Sequence, residues 1–499
     1  MSKRKDTETL DREEKPEGGA QPSQPEERIS ETKHTVIIDG REIAYTAKAG
    51  TLVLKDDEEE NPKASMFYVA YTRDDVEDTA QRPITFSFNG GPGSSSVWLH
   101  LGVLGPRRVL QDDMGGALVP PFKLVNNDCS LLDVTDLVFI DPVSTGYSRA
   151  VPGEEPKQFH GVEQDIESVG EFIRLYTSRS QRWASPKFLI GESYGTTRAA
   201  GLSSHLQQKL GMYVNGIMLV SAVLDFQSIN FDLGNDLPYI LFLPTYAAAA
   251  WYHGKLPEDL QQLSLREFLD EVEAFAREKY NLALMKGSTL PEDEKVEIVT
   301  KLARYTGLSE RYVEQTNLRI NIHRFVKELL RDERRTIGRY DARFKGIDRD
   351  AAGERHEYDP SYSIIQGSYT AALNHYVRSV LDFKNDRAYE ILTAKVQPWD
   401  YSKYQNQYVN VSESLRQAMT RNPYLKVFVA NGYYDLATPY FATEYTFNHL
   451  GLDPTFQDHL SMAYYEAGHM MYLDKPSLAK LKEDLATFVN GALTQDGEE

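Results

Sequence analysis

The stretch KFLIGESYGTTRAAGLSSHL, from Lys187 to Leu206, constrains the fold more than any other part of the chain. An apolar run, Phe188 to Ile190, meets Gly-Glu-Ser-Tyr-Gly without a break, and a helical pattern starts at once. Such a sharp strand-to-helix turn has two readings. One is a nucleophile elbow of the G-x-S-x-G type, which lifts the Ser193 hydroxyl above the edge of a sheet. The other is a tight turn that happens to contain serine.

The surrounding sequence repeats the same rhythm. HTVIIDGREIAYTAKAGTLVL and KASMFYVAYTRD alternate apolar and polar residues around Asp39-Gly40 and around the acidic loop DDEEENPK, which predicts antiparallel strands joined by turns. Ile84 to Phe88 then reads as a buried strand that runs into the Gly-rich loop NGGPGSSS. Strands are predicted at Leu137 to Asp141, Lys187 to Gly191 and Asn215 to Asp225. Helices are predicted from Val162 and after Ser193. Strands alternating with helices imply a mostly parallel central sheet flanked by helices.

From about residue 226 to 411 the rhythm stops, and the sequence becomes mainly helical and rich in tyrosine and charge. One helix there opens on the capping box Ser264-Leu-Arg-Glu267, followed by the apolar stripe Leu265, Phe268, Leu269, Val272 and Phe275. Sheet-like sequence returns with YLKVFVANGYYDLATP and DHLSMAYYEAGHMMY, before a closing helix from Ser477 to about Asn490. The expected organisation is a disordered tail over 1–33, the first part of an α/β core over 34–225, a helical cap insertion over 226–411, and the rest of the core over 412–499.

Three side chains fall in the chain order Ser, Asp, His of an α/β-hydrolase triad. Asp435 ends a strand in NGYYDLATP, and His469 follows one in YYEAGHMMY. A serine hydroxyl is a weak nucleophile until an imidazole takes its proton, so His469 is the candidate base. Asp435 would fix the imidazole tautomer and stabilise its charged form. The oxyanion of the tetrahedral intermediate needs two donors. The elbow offers the N–H of Tyr194, and the Gly-rich loop offers that of Gly91.

Taken together, FNGGPGSSS, FIDPVSTGYS, GESYG, NGYYDLATP and AGHM resemble, in order, the motifs of the serine carboxypeptidases, peptidase family S10. The likeness runs from about Ile84 to the C-terminal helix and is loosest in the cap. It implies an α/β-hydrolase fold and removal of single residues from peptides that carry a free C-terminal carboxylate. It also implies that Asn89 and Glu192, assisted by the Gly90 N–H, bind that carboxylate. Two carboxyl groups in contact must share a proton, so binding is expected to be best below neutral pH. The chain departs from the pattern where Val103 stands at the usual second Glu, before Leu104-Gly105-Pro106, and where Ser94 stands at the usual Cys. One arm of the carboxyl network is thus expected to be missing.

A net charge of −19 argues against nucleic acid or an anionic membrane as a partner, since both recruit basic patches. No stretch approaches the about 20 apolar residues of a membrane span, and no apolar leader core is visible, so a cytoplasmic protein is expected. The lone Cys129 excludes an intramolecular disulfide and reads as a packed residue. No HExxH pair, Walker loop or GxGxxG is present, so no metal or cofactor is expected, and no oligomeric state is implied. The rival readings are an acyltransferase or esterase on the same triad, and a non-catalytic binding protein on the same fold.

Overall fold

A computed structural model describes residues 26–56, 61–116 and 118–494. Most of the expected N-terminal tail, residues 1–25, and part of the acidic loop, 57–60, lie outside the described residues. The first strand begins earlier than expected. Strand β1 (Ile29–Ile38) starts at Ile29, and Ile29 to Lys33 pair with Gly50 to Thr46 of β2 (Arg41–Lys55). The polar run Ser-Glu-Thr-Lys is wet on both faces for most of its length, as suits a strand at the sheet edge. Asp39 and Gly40, both at positive φ, make the two-residue turn between Ile38 and Arg41.

The main sheet continues through β3 (Pro62–Arg73), β4 (Ile84–Phe88), β5 (Asp136–Ile140), β6 (Lys187–Ser193), β7 (Gly216–Ala222), β8 (Lys426–Gly432) and β9 (Leu460–Tyr465). Their spatial order is β1-β2-β3-β5-β4-β6-β7-β8-β9, with the two-residue strand Arg149–Ala150 beside β3. The first four pair antiparallel, and all pairings from β5 to β9 are parallel. This is the α/β-hydrolase fold.

The parallel strands are near-continuous apolar runs because helices cover both faces. Leu189 of β6 and Leu219 of β7 pack with Val169, Phe172 and Leu202 from helices α1 (Val162–Arg179) and α2 (Tyr194–Leu210). Their neighbours Phe188, Ile190 and Met218 face the other way, toward Leu481 and Leu485 of the closing helix, Lys475–Gly491. That period of two assigns each strand residue to one of two cores.

The segment between β7 and β8 packs as two different units. The helices Leu237–Tyr252, Leu265–Phe275, Glu292–Thr306 and Ile322–Glu328 build a third core, closed against Tyr434, Leu436 and Tyr440. The Ser264–Glu267 capping box forms as read. The helix Pro360–His375 instead places Ile365, Tyr369 and Leu373 in the core beside Val97 and Leu101. The chain after it runs back over the sheet end, bridging Leu392 to Ser94, Glu390 to Gly146, Asp400 to Gly161 and Asn410 to Asp225. Among the described residues, no helix is long and apolar enough to cross a membrane.

Candidate active site

The turn after β6 is an elbow in the geometric sense. Ser193 sits at φ 60° and ψ −130°, a conformation that non-glycine residues rarely hold unless the surroundings impose it. A Cβ on Gly191 would stand 2.1 Å from the Gly195 carbonyl oxygen, so no side chain fits there. The Gly-rich loop after β4 lies directly on this turn. A Cβ on Gly90 would be 2.4 Å from the Tyr194 nitrogen, which explains why the loop must be glycine where it meets the elbow. Gly91 and Tyr194, the expected oxyanion donors, are thereby brought to one place, Gly91 beside Ser193 in the lining of a single cavity.

Two buried networks hold the Gly-rich loop. Arg198 on α2 binds the Asp165 carboxylate at 2.7 and 3.1 Å and donates to the Asn89 carbonyl at 2.5 Å. At the far end of the loop, the Ser96 amide and hydroxyl both donate to Asp141 Oδ1 at 2.9 Å. Asp141 belongs to the FIDPVSTGYS motif, whose part in the site is to anchor this loop.

His469 and Asp435 meet as read: the imidazole Nδ1 lies 2.8 Å from Asp435 Oδ2. The carboxylate is fully buried and accepts from the Ala437 N–H (2.8 Å), the Thr438 N–H (3.0 Å) and the Thr438 hydroxyl (2.7 Å). Burial disfavours the imidazolium, but the Asp435 charge and hydrogen bond, with Glu192 nearby, outweigh it and raise the His469 pKa above its usual value.

Several supports of His469 carry no motif signal. Ser221, at positive φ where β7 bulges beside the elbow, donates its hydroxyl to the His469 carbonyl at 2.6 Å. The His469 N–H binds the Tyr340 carbonyl at 2.6 Å, and the Gly468 N–H binds Asp341 at 3.1 Å. Tyr340 and Asp341 stand at the tip of a hairpin between the short strands Thr336–Ile337 and Lys345–Gly346. The Tyr340 ring packs 5.2 Å from the His469 ring.

Glu192 is buried beside them and accepts the Tyr472 hydroxyl at 2.6 Å. Burial lifts its pKa to about 7, against the smaller opposing pulls of His469, Tyr472 and Asn89. Asn89 Oδ1 accepts from the Leu99 N–H at 3.1 Å, whereas Asn89 Nδ2 is buried and has no partner of good hydrogen-bond geometry. Val103 is buried among core residues, as expected of a position without the second Glu. The carboxyl network nevertheless has a second arm, supplied by Tyr472, three residues beyond His469.

Ser193, His469, Asn89, Gly90, Gly91 and Glu192 line one cavity of about 140 Å³, together with Arg339, Tyr340 and Tyr362. Among the described residues, no group of three or more His, Cys, Asp or Glu could hold a metal ion. Cys129 is half-buried and outside this cavity, and burial raises its thiol pKa.

The geometry can be set against known proteins. The pheromone-processing carboxypeptidase KEX1 of Saccharomyces cerevisiae (strain JAY291) is 32% identical over 145 residues, 28% of this chain and 18% of the relative. Its counterpart in Yarrowia lipolytica (strain CLIB 122 / E 150) is 27% identical over 148 residues, 29% and 22% of the two chains. The matched stretch thus spans about a fifth of these relatives' length. The crystal structure of Kex1Δp, a prohormone-processing carboxypeptidase from Saccharomyces cerevisiae, superimposes with a TM-score of 0.54 at 17% identity, over 91% of this chain and 93% of that one. It shares the fold. Residues 49–470 match the serine carboxypeptidase family, peptidase S10, a span that takes in the Gly-rich loop, the elbow, Asp435 and His469. This chain belongs to the serine carboxypeptidase family.

Proposed function

We propose that this protein is a serine carboxypeptidase that releases single residues from peptide C-termini through an acyl-enzyme on Ser193. The observation that carries this reading is the pairing, in one cavity with Ser193 and His469, of a buried amide donor with a buried carboxyl group whose pKa is lifted to about 7. Asn89 Nδ2 is that donor, and Glu192 is that acid. A simple esterase needs neither.

The substrate's terminal carboxylate accepts from Asn89 Nδ2, the Gly90 N–H and protonated Glu192. This sets the scissile carbonyl over Ser193. His469 takes the Ser193 proton as Oγ attacks, and Asp435 stabilises the imidazolium. The Gly91 and Tyr194 N–H groups hold the oxyanion. Collapse expels the C-terminal amino acid with the proton from His469. Water, deprotonated by His469, then frees the shortened peptide and restores Ser193.

This division of roles sets the pH dependence. Glu192 must be protonated to accept a carboxylate, which fails as pH rises through about 7. His469 must be neutral, which favours higher pH. For a free-acid peptide, kcat/KM should therefore fall on the alkaline side, about tenfold per unit once Glu192 ionises. An ester without a carboxylate should keep only the acid limb and show no fall near pH 7. Glu192→Gln should remove the alkaline limb for peptides. Profiles that superpose for peptide and ester would count against the Glu192 role.

A further inference from the structure

The Arg339 guanidinium has no stated use in the chemistry above. Its backbone is fixed from both sides, the N–H on the Asp359 carboxylate at 3.3 Å and the carbonyl on the Leu436 N–H at 3.0 Å. The side chain lies on the Tyr340 ring, 5.2 Å from its centroid, and is half-buried. Among the described residues, no carboxylate comes within 4.0 Å of the guanidinium. A half-buried guanidinium without a carboxylate partner is free to take one from a ligand.

Arg339 also lines a second cavity, of about 370 Å³, next to the catalytic one. Its other charged walls are Arg355, likewise without a carboxylate partner among the described residues, and Asp232. His323 is there too, its pKa lowered first by burial and then by Arg355, His356 and Arg339, so the fixed positive charge belongs to the two arginines. They outnumber Asp232 on a chain whose net charge is −19, so this is a basic pocket on an acidic protein.

Topology says which part of a substrate meets it. The carboxylate clamp follows β4, on one side of β6 and its Ser193. The second cavity is walled by Phe231, after β7, and by Leu436, after β8, both on the other side of β6. A peptide whose terminal carboxylate sits on the clamp must cross Ser193 with its acyl part heading toward the second cavity. Arg339, shared by both cavities, stands at the crossing.

We infer that Arg339 selects substrates with an acidic side chain on the residue that acylates Ser193, the one just N-terminal to the scissile bond. The planar guanidinium fork suits a carboxylate, and the Tyr340 ring beside it limits where the fork can sit. This rests on the carboxypeptidase reading for its peptide form, but the acyl-side preference itself needs only Ser193, Asp435 and His469.

The test therefore uses esters as well as peptides. N-acylated Glu, Gln and Lys esters with one common leaving group, and peptides that differ only in the penultimate residue, are compared by kcat/KM. Glu should exceed Gln by about 10- to 100-fold in both series, with Lys lowest. Arg339→Gln should bring the Glu-to-Gln ratio close to one, Arg339→Lys should restore part of it, and Arg339→Glu should favour Lys. A ratio near one in wild type, or one that survives Arg339→Gln, would overturn the proposal. So would an Arg339→Gln defect that raises KM for all free-acid peptides alike and spares the esters, since that would place Arg339 on the terminal carboxylate. If esters show the preference while no peptide is cut, the carboxypeptidase reading fails and the Arg339 assignment stands.

Discussion

Ser193→Ala is expected to lower the hydrolysis of both free-acid peptides and simple esters by about 10⁴- to 10⁶-fold, leaving a properly folded protein. Both reactions need the same nucleophile, so neither substrate should escape. The fold should persist because alanine meets the same backbone constraint at φ 60° as serine does, and it adds no atoms to the elbow. The variant should still bind a free-acid peptide, because Asn89, Gly90 and Glu192 are untouched. Initial rates, peptide binding by calorimetry and the thermal midpoint check these three statements. A residual peptide rate within tenfold of wild type would place the nucleophile elsewhere.

Asp435→Asn should cost about 10⁴-fold in kcat with little change in KM. The reason lies in how the carboxylate is held. Asp435 Oδ1 accepts the N–H groups of Ala437 and Thr438, and an asparagine must keep its carbonyl oxygen there to satisfy them. Its amide nitrogen is then forced into the position of Oδ2, which faces His469 Nδ1. The imidazole must accept at Nδ1 and so carries its proton on Nε2, the tautomer that cannot take a proton from Ser193. Proton resonances of the imidazole by NMR would show the exchanged tautomer. A variant that kept a tenth or more of wild-type kcat would remove Asp435 from this role.

How much of this site could be read from the sequence depended on where each residue sits. Ser193, Asp435 and His469 were legible because each lies at the C-terminal end of a strand or a few residues past it, where an apolar run stops and Gly195, Pro439 or Gly468 stands close by. Asn89 and Glu192 could be read only through their motifs. Ser221, Tyr340 and Asp341 were not legible. Their contacts with His469 and Gly468 join segments more than a hundred residues apart, and neither a bulge nor a hairpin tip leaves a periodic signal. Tyr472 stood close to a quoted motif, yet an aromatic beside AGHM reads as core until its hydroxyl is seen on Glu192. The start of β1 was missed because an edge strand that is wet on both faces has no apolar alternation to show. Within the cap, the amphipathic stripe from Leu265 was plain, but the return of the Pro360–His375 helix to the sheet core was not, since an apolar helix face does not say which neighbour it meets.

The most direct test of the central claim uses one peptide prepared as free acid and as C-terminal amide, followed by mass spectrometry with wild type and Ser193→Ala between pH 5 and 8. On the proposed reading Asn89 Nδ2 and protonated Glu192 take up the terminal carboxylate, and an amide brings no charge for them to hold. The free acid should therefore shorten one residue at a time with wild type alone, and the amide should stay intact. Equal shortening of both forms, or survival of both while a simple ester is hydrolysed, would contradict carboxypeptidase action.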